Sequence, residues 1–208
     1  MNYFSQIYIR RFKPFLMALF TRLLYSGRNI KIGKNFRCDS VPRILIDKPC
    51  KLVIGDDVEF RRNVEIRVHG TSKVLIGNNI RIDRGVRILS ANKATIKIND
   101  GTRIGLYSVL NGGDSITIGK KALISGFVYL QTSMHSFVTK NSPIQDQGYS
   151  HKPVVLEEDT WLGTHVVILP GVKIGKGAIV GSNSVVTKSI MSNMVMGGIP
   201  AKELKERI

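Results

Sequence analysis

Cysteine, tryptophan, histidine and acid are all scarce in this chain: two Cys, one Trp, four His and 15 Asp+Glu in 208 residues. Two cysteines, Cys38 and Cys50, are too few for the disulfide framework of a small secreted domain, and their spacing fits neither a metal nor a redox motif. They read as reduced thiols of a cytoplasmic protein. The apolar stretch "FKPFLMALFTRLLYSG" is too short to span a bilayer. Arg22 also cuts it short as a signal peptide, and no small-residue cleavage site follows. Aromatics make up only 7% of the chain, whereas glycine is plentiful at 20 residues, which points to a turn-rich β architecture. The shortage of acid against 31 Lys+Arg leaves a formal charge of +16, a surface that attracts polyanions. No nucleic-acid-binding motif is present and the basic residues are dispersed, so nucleic acid is not the expected partner.

Charge and apolarity are unevenly placed. The first 37 residues hold eight basic side chains and no acid. Residues 1–29 are read as a separate basic segment. An amphipathic helix is expected over about residues 15–25, packed on a neighbouring subunit or lying on an anionic membrane face.

From residue 30 a repeat takes over. Anchors Ile32, Ile54, Ile76 and Ile98 recur every 22 residues, and Ile118, Leu156 and Ile174 follow at steps of 20, 38 and 18. Two further apolar residues follow each anchor at intervals of six, as in Ile54/Phe60/Ile66 and Ile174/Val180/Val186. Three six-residue steps per turn describe a triangular prism in which each face is a short strand and the aliphatic side chain points inward. The four residues by which the early coils exceed 18 are expected as corner bulges such as "VHGT". The segment "GGIPAKELKERI" reads as a turn and a short C-terminal helix, a cap over residues 196–208 for the otherwise open sheet edge.

The step of 38 residues exceeds a coil by 20, so a loop over residues 131–155 must leave a corner. Long loops in compact domains usually carry function. The run "VVLEEDTWLGTHVVILPGVKIGKGAIVGSNSVVTK", followed by "GGIPAK", resembles the left-handed parallel β-helix acyltransferases, nearest to the galactoside, maltose and xenobiotic acetyltransferases and the sugar O-acetyltransferases of capsule and O-antigen synthesis. The resemblance covers about residues 30–205. It implies the left hand of the helix, a homotrimer with active sites between subunits, acetyl-CoA as co-substrate and no metal.

Acetyl transfer from a thioester to an alcohol needs a base, a donor for the developing oxyanion and a grip on the carrier. Histidine suits the base because its ordinary pKa of about 6.5 leaves it mostly neutral near pH 7. His135 in "TSMHSF" opens the loop and matches the family's catalytic histidine; what orients its ring is left open. His151, on the returning limb, is a candidate acceptor contact, and His165 on a strand is structural or lines the carrier groove. His69, distant in sequence, reads as surface. The resemblance implies the Thr164 N–H as oxyanion donor, Trp161 and Asp114 as acceptor contacts, and Gly163, Thr164, Ser182, Thr187, Lys188, Lys202 and Lys205 along coenzyme A. The lysines are read as phosphate contacts.

The expected function is therefore acetyl-CoA-dependent O-acetylation of a sugar hydroxyl in surface polysaccharide synthesis, by direct transfer, in the cytoplasm or at its membrane face. N-acetylation of an amino-sugar nucleotide is the nearest alternative. A zinc-dependent carbonic anhydrase of γ type and a non-catalytic glycan-binding scaffold are more distant ones.

Overall fold

The computed structural model describes residue 6, residues 8–27 and residues 29–208. Residues 1–5, 7 and 28 and the side chains of Arg10 and Arg11 lie outside that description, and with them part of the expected N-terminal segment.

The six-residue rhythm becomes three stacks of parallel strands. The first face runs from Ile30–Ile32 to Lys173–Ile174, the second from Arg37–Cys38 through Trp161–Leu162 to Ile179–Val180, and the third from Arg43–Ile46 to Val185–Val186. Anchors lie directly above one another, Ile32 opposite Ile54, Ile54 opposite Ile76 and Ile76 opposite Ile98. Alternation along each strand turns those side chains inward. Ile54, Phe60, Ile66, Ile88, Leu110 and Leu130 are buried in one continuous column. The chain is a left-handed parallel β-helix of about seven coils.

Left-handed backbone conformations recur at the corner between the first and second faces, at Asn35, Asp57, Asn79, Lys121, Asp159 and Asn193. Asn and Asp tolerate that region better than most residues, and their own N–H groups tie coil to coil, as Asp57 to the Lys34 carbonyl and Asn79 to that of Asp56, both at 2.9 Å.

Two expectations are corrected. The extra residues of the early coils are not simple corner bulges. They also lengthen the strands that flank the corner between the third and first faces, so that Glu65–Val68 and Lys73–Ile76 have four residues where Val167–Ile168 and Lys173–Ile174 have two. Each longer strand adds an inward side chain, Val68 and Val74 among them, which widens the lower prism at that corner. The C-terminal segment is not a helix. Lys202–Glu206 is a strand, antiparallel to Met194–Gly197, which in turn extends the second face. A strand satisfies the edge hydrogen bonds of a sheet directly, whereas a helix only covers them.

At the N-terminus a π-helical turn, Tyr8–Phe12, runs into helix α1, Lys13–Leu24. Pro14, Ala18 and Thr21 are its buried residues. The Arg22 guanidinium donates to the carbonyls of Ile32 and Gly33, and the Tyr25 hydroxyl donates to that of Pro42 at 3.0 Å, so α1 closes the open end of the first coil. Cys38 and Cys50 are buried free thiols; burial pushes the Cys38 thiol above its ordinary pKa.

Ion pairs lace the outer surface. The Glu157 carboxyl is held below the ordinary carboxylate range, first by Lys173 (2.7 Å) and then by the Lys176 N–H (2.9 Å). A lowered folded pKa means that the unfolded chain binds more protons as the pH falls through the ordinary carboxylate range, about 4.3 for glutamate, so this contribution is present above that range and lost below it. Glu157→Gln is expected to flatten the acid limb of the stability curve between about pH 5 and pH 3, read as the urea midpoint against pH.

Candidate active site

The excursion leaves the corner between the third and first faces and begins as a two-stranded ribbon. Ser133–His135 runs antiparallel to Tyr149–His151, with Ser133 opposite His151 and His135 opposite Tyr149. Residues two apart on a strand share a face, so Ser133, His135, Tyr149 and His151 project from the same side of the ribbon. The His135 and Tyr149 rings lie 4.1 Å apart at 37°, and Ser133 Oγ is 2.9 Å from His151 Nδ1. Among the described residues no side chain hydrogen-bonds the His135 ring; Tyr149 is what it rests against.

The loop is braced at both ends. At its root the buried Thr132 hydroxyl donates to the Asn111 carbonyl at 2.8 Å and accepts from the Asp114 N–H at 3.0 Å. At its tip the Gln147 amide donates to the carbonyls of Thr139 and Ser142, at 2.7 and 2.9 Å. Gly113 lies directly beneath the ribbon, where an added Cβ would come within 2.0 Å of Ser133 Oγ and 2.9 Å of His151 Nδ1. A side chain at 113 would displace the Ser133 hydroxyl and the His151 ring from their present contact.

Between ribbon and corner lies a cleft of about 500 Å³ lined by Arg67, His69, Asn92, Asn111, Tyr149 and His151, among others. Asn111 donates to the Tyr129 hydroxyl at 2.9 Å, and Asn92 to the Gly113 carbonyl at 2.9 Å. His69 sits 3.4 Å from Asp47, whose carboxyl is held below its ordinary range by the Gly70 N–H first and by His69 second. His69, expected as remote surface, thus belongs to the cleft. Arg67, Leu89 and Asn111 stack in register. The 22-residue period carried this information: it sets residues 69, 91 and 113 at one corner. Asp114 stands at the root, where its carboxylate accepts from the Ser115 N–H at 2.6 Å.

A second group occupies the corner between the second and third faces. Trp161 is on the strand Trp161–Leu162 that leads into this corner, half exposed with its Nε1 3.4 Å from Ser125 Oγ. Gly163 packs beneath the next coil; a Cβ there would come within 2.6 Å of the Ser182 nitrogen. The Thr164 hydroxyl donates to the Gly126 carbonyl at 2.9 Å. Its backbone N–H has no partner among the described residues, and the same holds for the equivalent corner residues Gly126 and Ser182. His165 is not on a strand but at the corner itself, with φ of 57°, its ring 4.8 Å from Phe127 and nearly parallel to it; Phe127 stacks on Tyr107 at 5.5 Å. Thr187 and Lys188 are exposed after the last third-face strand, and Lys202 and Lys205 are exposed on the C-terminal strand.

One chain therefore brings Asp114, His135 and His151 together, with Ser133 and Tyr149, at one corner, and Trp161, Gly163, Thr164 and Ser182 at another.

The chain was compared with known families and proteins. A profile of the family "Bacterial transferase hexapeptide (six repeats)" matches residues 153–188. WbbJ of Escherichia coli K12, whose name assigns it to O-acetyl transfer in lipopolysaccharide biosynthesis, is 30% identical over 71% of this chain and 81% of its own length. This chain belongs to the hexapeptide-repeat acyltransferases. Within that family the E. coli dTDP-4-amino-4,6-dideoxy-D-glucose acyltransferase is 32% identical over 74% of this chain and 81% of its own length. Among solved structures, the N-acyltransferase AntD of Bacillus cereus, crystallised with dTDP and coenzyme A, superposes with a TM-score of 0.62 at 22% identity over 90% of this chain and 89% of its own. The polysialic acid O-acetyltransferase OatWY gives 0.60 at 24% identity over 86% and 89%. Both share the fold of this member of the family. No helix among the described residues is long and apolar enough to cross a membrane.

Proposed function

We propose that the protein transfers an acetyl group from acetyl-CoA to a sugar hydroxyl of a surface-polysaccharide precursor, with His135 as general base. The observation that carries this reading is the shared face of the ribbon, on which His135 stands beside Ser133, Tyr149 and His151, and these last three line the cleft. Arg67, His69, Asn92 and Asn111 offer the hydrogen-bonding groups a polyhydroxylated acceptor needs. WbbJ, named for lipopolysaccharide O-acetylation, supports an acceptor of this class.

In the proposed reaction the His135 imidazole takes the hydroxyl proton as the oxygen attacks the thioester carbonyl. The carbon–sulfur bond then breaks, and the imidazolium returns the proton to the departing thiolate. The unpaired Thr164 N–H is the proposed oxyanion donor. Gly163, Ser182 and Thr187 are the proposed bed of the coenzyme A arm, and Lys188, Lys202 and Lys205 its phosphate contacts. Because the His135 and Thr164 groups stand at different corners of one prism, the site we propose joins the ribbon of one subunit to the Thr164 corner of the next in a homotrimer. Trp161 then borders the neighbour's cleft.

Thiol release from acetyl-CoA with a panel of sugars and sugar nucleotides tests the proposal. Release that depends on a hydroxyl acceptor and yields an ester is expected. An amide formed only on an amino-sugar nucleotide transfers the assignment to N-acetylation, and no release with any acceptor removes it. Asn111→Ala and His69→Ala are each expected to raise the acceptor KM about tenfold, the worth of one hydrogen bond, with the KM for acetyl-CoA unchanged.

A further inference from the structure

Helix α1 is built inside out for a free end. Its buried residues are Pro14, Ala18 and Thr21, none with a large apolar side chain, while its exposed residues are without exception Phe or Leu: Phe15, Leu16, Leu19, Phe20, Leu23 and Leu24. The spacing 15, 16, 19, 20, 23, 24 places all six on one helix face. Phe15, Leu23 and Leu24 are each about two-thirds exposed, at 67%, 67% and 66%. A contiguous apolar face of this kind marks a contact surface. Its direction is set by what lies behind it: Thr21 touches the inward Cys38, and Arg22 closes the first-coil carbonyls, so the apolar face looks away from the end of the prism.

The rim of that end is cationic. Lys31, Lys34, Arg37, Arg43 and Lys48 are exposed on the first coil, and Arg37 shares a groove of about 250 Å³ with Phe15 and Leu19. The two acids of this coil are engaged by the coil above, Asp39 by Arg61 at 3.5 Å and Asp47 by the Gly70 N–H at 2.9 Å with His69 at 3.4 Å. The rim cations are left without those acids as partners. A flat apolar face framed by positive charge is complementary to the headgroup and upper acyl layer of an anionic bilayer.

We propose that this end of the prism docks on an anionic membrane surface, with the α1 phenylalanines and leucines entering the interface and the first-coil lysines and arginines meeting lipid phosphates. The docking surface is independent of the acetyl-transfer assignment. In the side-by-side trimer proposed above, three such faces share one end and bind together, which multiplies a weak single contact.

Flotation of the full-length protein with phosphatidylcholine vesicles, with and without about 30% phosphatidylglycerol, tests this. Binding to the anionic vesicles is expected to be at least about tenfold stronger than to the neutral ones and to weaken as salt is raised. Phe15→Ser/Leu19→Ser/Leu23→Ser is expected to abolish flotation. Lys31→Gln/Lys34→Gln/Arg37→Gln, which leaves the apolar face intact, is expected to lower binding to anionic vesicles toward the neutral level. Circular dichroism of both variants, expected to match the native protein because every substituted side chain points outward, separates lost docking from lost fold. Equal binding to both vesicle types, or none, overturns the proposal. So does an end-to-end doubling of mass in sedimentation that the apolar triple variant abolishes, since the occupant is then a second copy of the chain.

Discussion

His135→Ala is expected to lower the rate of acetyl-CoA-dependent thiol release by about 10²–10⁴-fold, the usual contribution of a positioned general base. The loss should fall on kcat. His135 stands one step further out along the ribbon than Ser133 and His151, and its ring is held against Tyr149 rather than in a packed core, so truncation leaves the fold intact. The KM for acetyl-CoA is expected to be nearly unchanged, because the proposed carrier contacts belong to the other corner. His151→Ala is the internal comparison: its ring pairs with Ser133 inside the cleft, so its effect should appear mainly in the acceptor KM. Steady-state kinetics on both variants, with circular dichroism to confirm folding, check the split. A decrease of less than about threefold for His135→Ala would remove it as the base.

Phe60→Ala is expected to cost about 3–5 kcal/mol of stability. Phe60 is fully buried in the column, flanked by Cys38 and Ile82 in register, and its ring meets Phe36 edge-on at 5.1 Å. The coils on either side are tied by hydrogen bonds to their neighbours and cannot collapse into the space, so the cavity remains. Because each coil contacts only the next, the damage should stay near the N-terminal end. The urea midpoint is expected to fall while kcat in the absence of denaturant stays near the wild-type value. A cost below about 1 kcal/mol would contradict a close-packed column at this coil.

These two residues differ in how far the sequence could speak for them. Phe60 was assigned its inward place by counting sixes, because a β-helix converts linear period directly into stacked position. The same counting placed Leu130 at the end of the fifth coil and the loop immediately after it. It failed where a segment leaves the period. The C-terminal residues were read as a helix from local composition, yet the unpaired edge of the second face recruited Lys202–Glu206 as a strand. His165 was read on a strand although it stands at a turn, because the phase of the six-residue unit tells which residues point inward more clearly than where each turn begins.

The site shows the same division. His135, His151, Thr164 and Ser182 were nameable from motif position, but not which of them share a corner. His69 was dismissed for its distance along the chain, although two steps of 22 residues stack its corner position under Gly113 and bring it into the same cleft as His151. Tyr149 was passed over altogether, since nothing local indicates that it will face His135 across an antiparallel ribbon.

What the sequence determined by itself is the prism, its buried column and the point of departure of the loop, since each follows from a periodic apolar pattern that has one low-energy way to be buried. What only the tertiary structure decided is the pairing of the loop's two limbs, the cleft beneath them and the outward turn of the α1 phenylalanines and leucines. Those depend on contacts between segments that share no period, and on which competing surface each segment finds to cover.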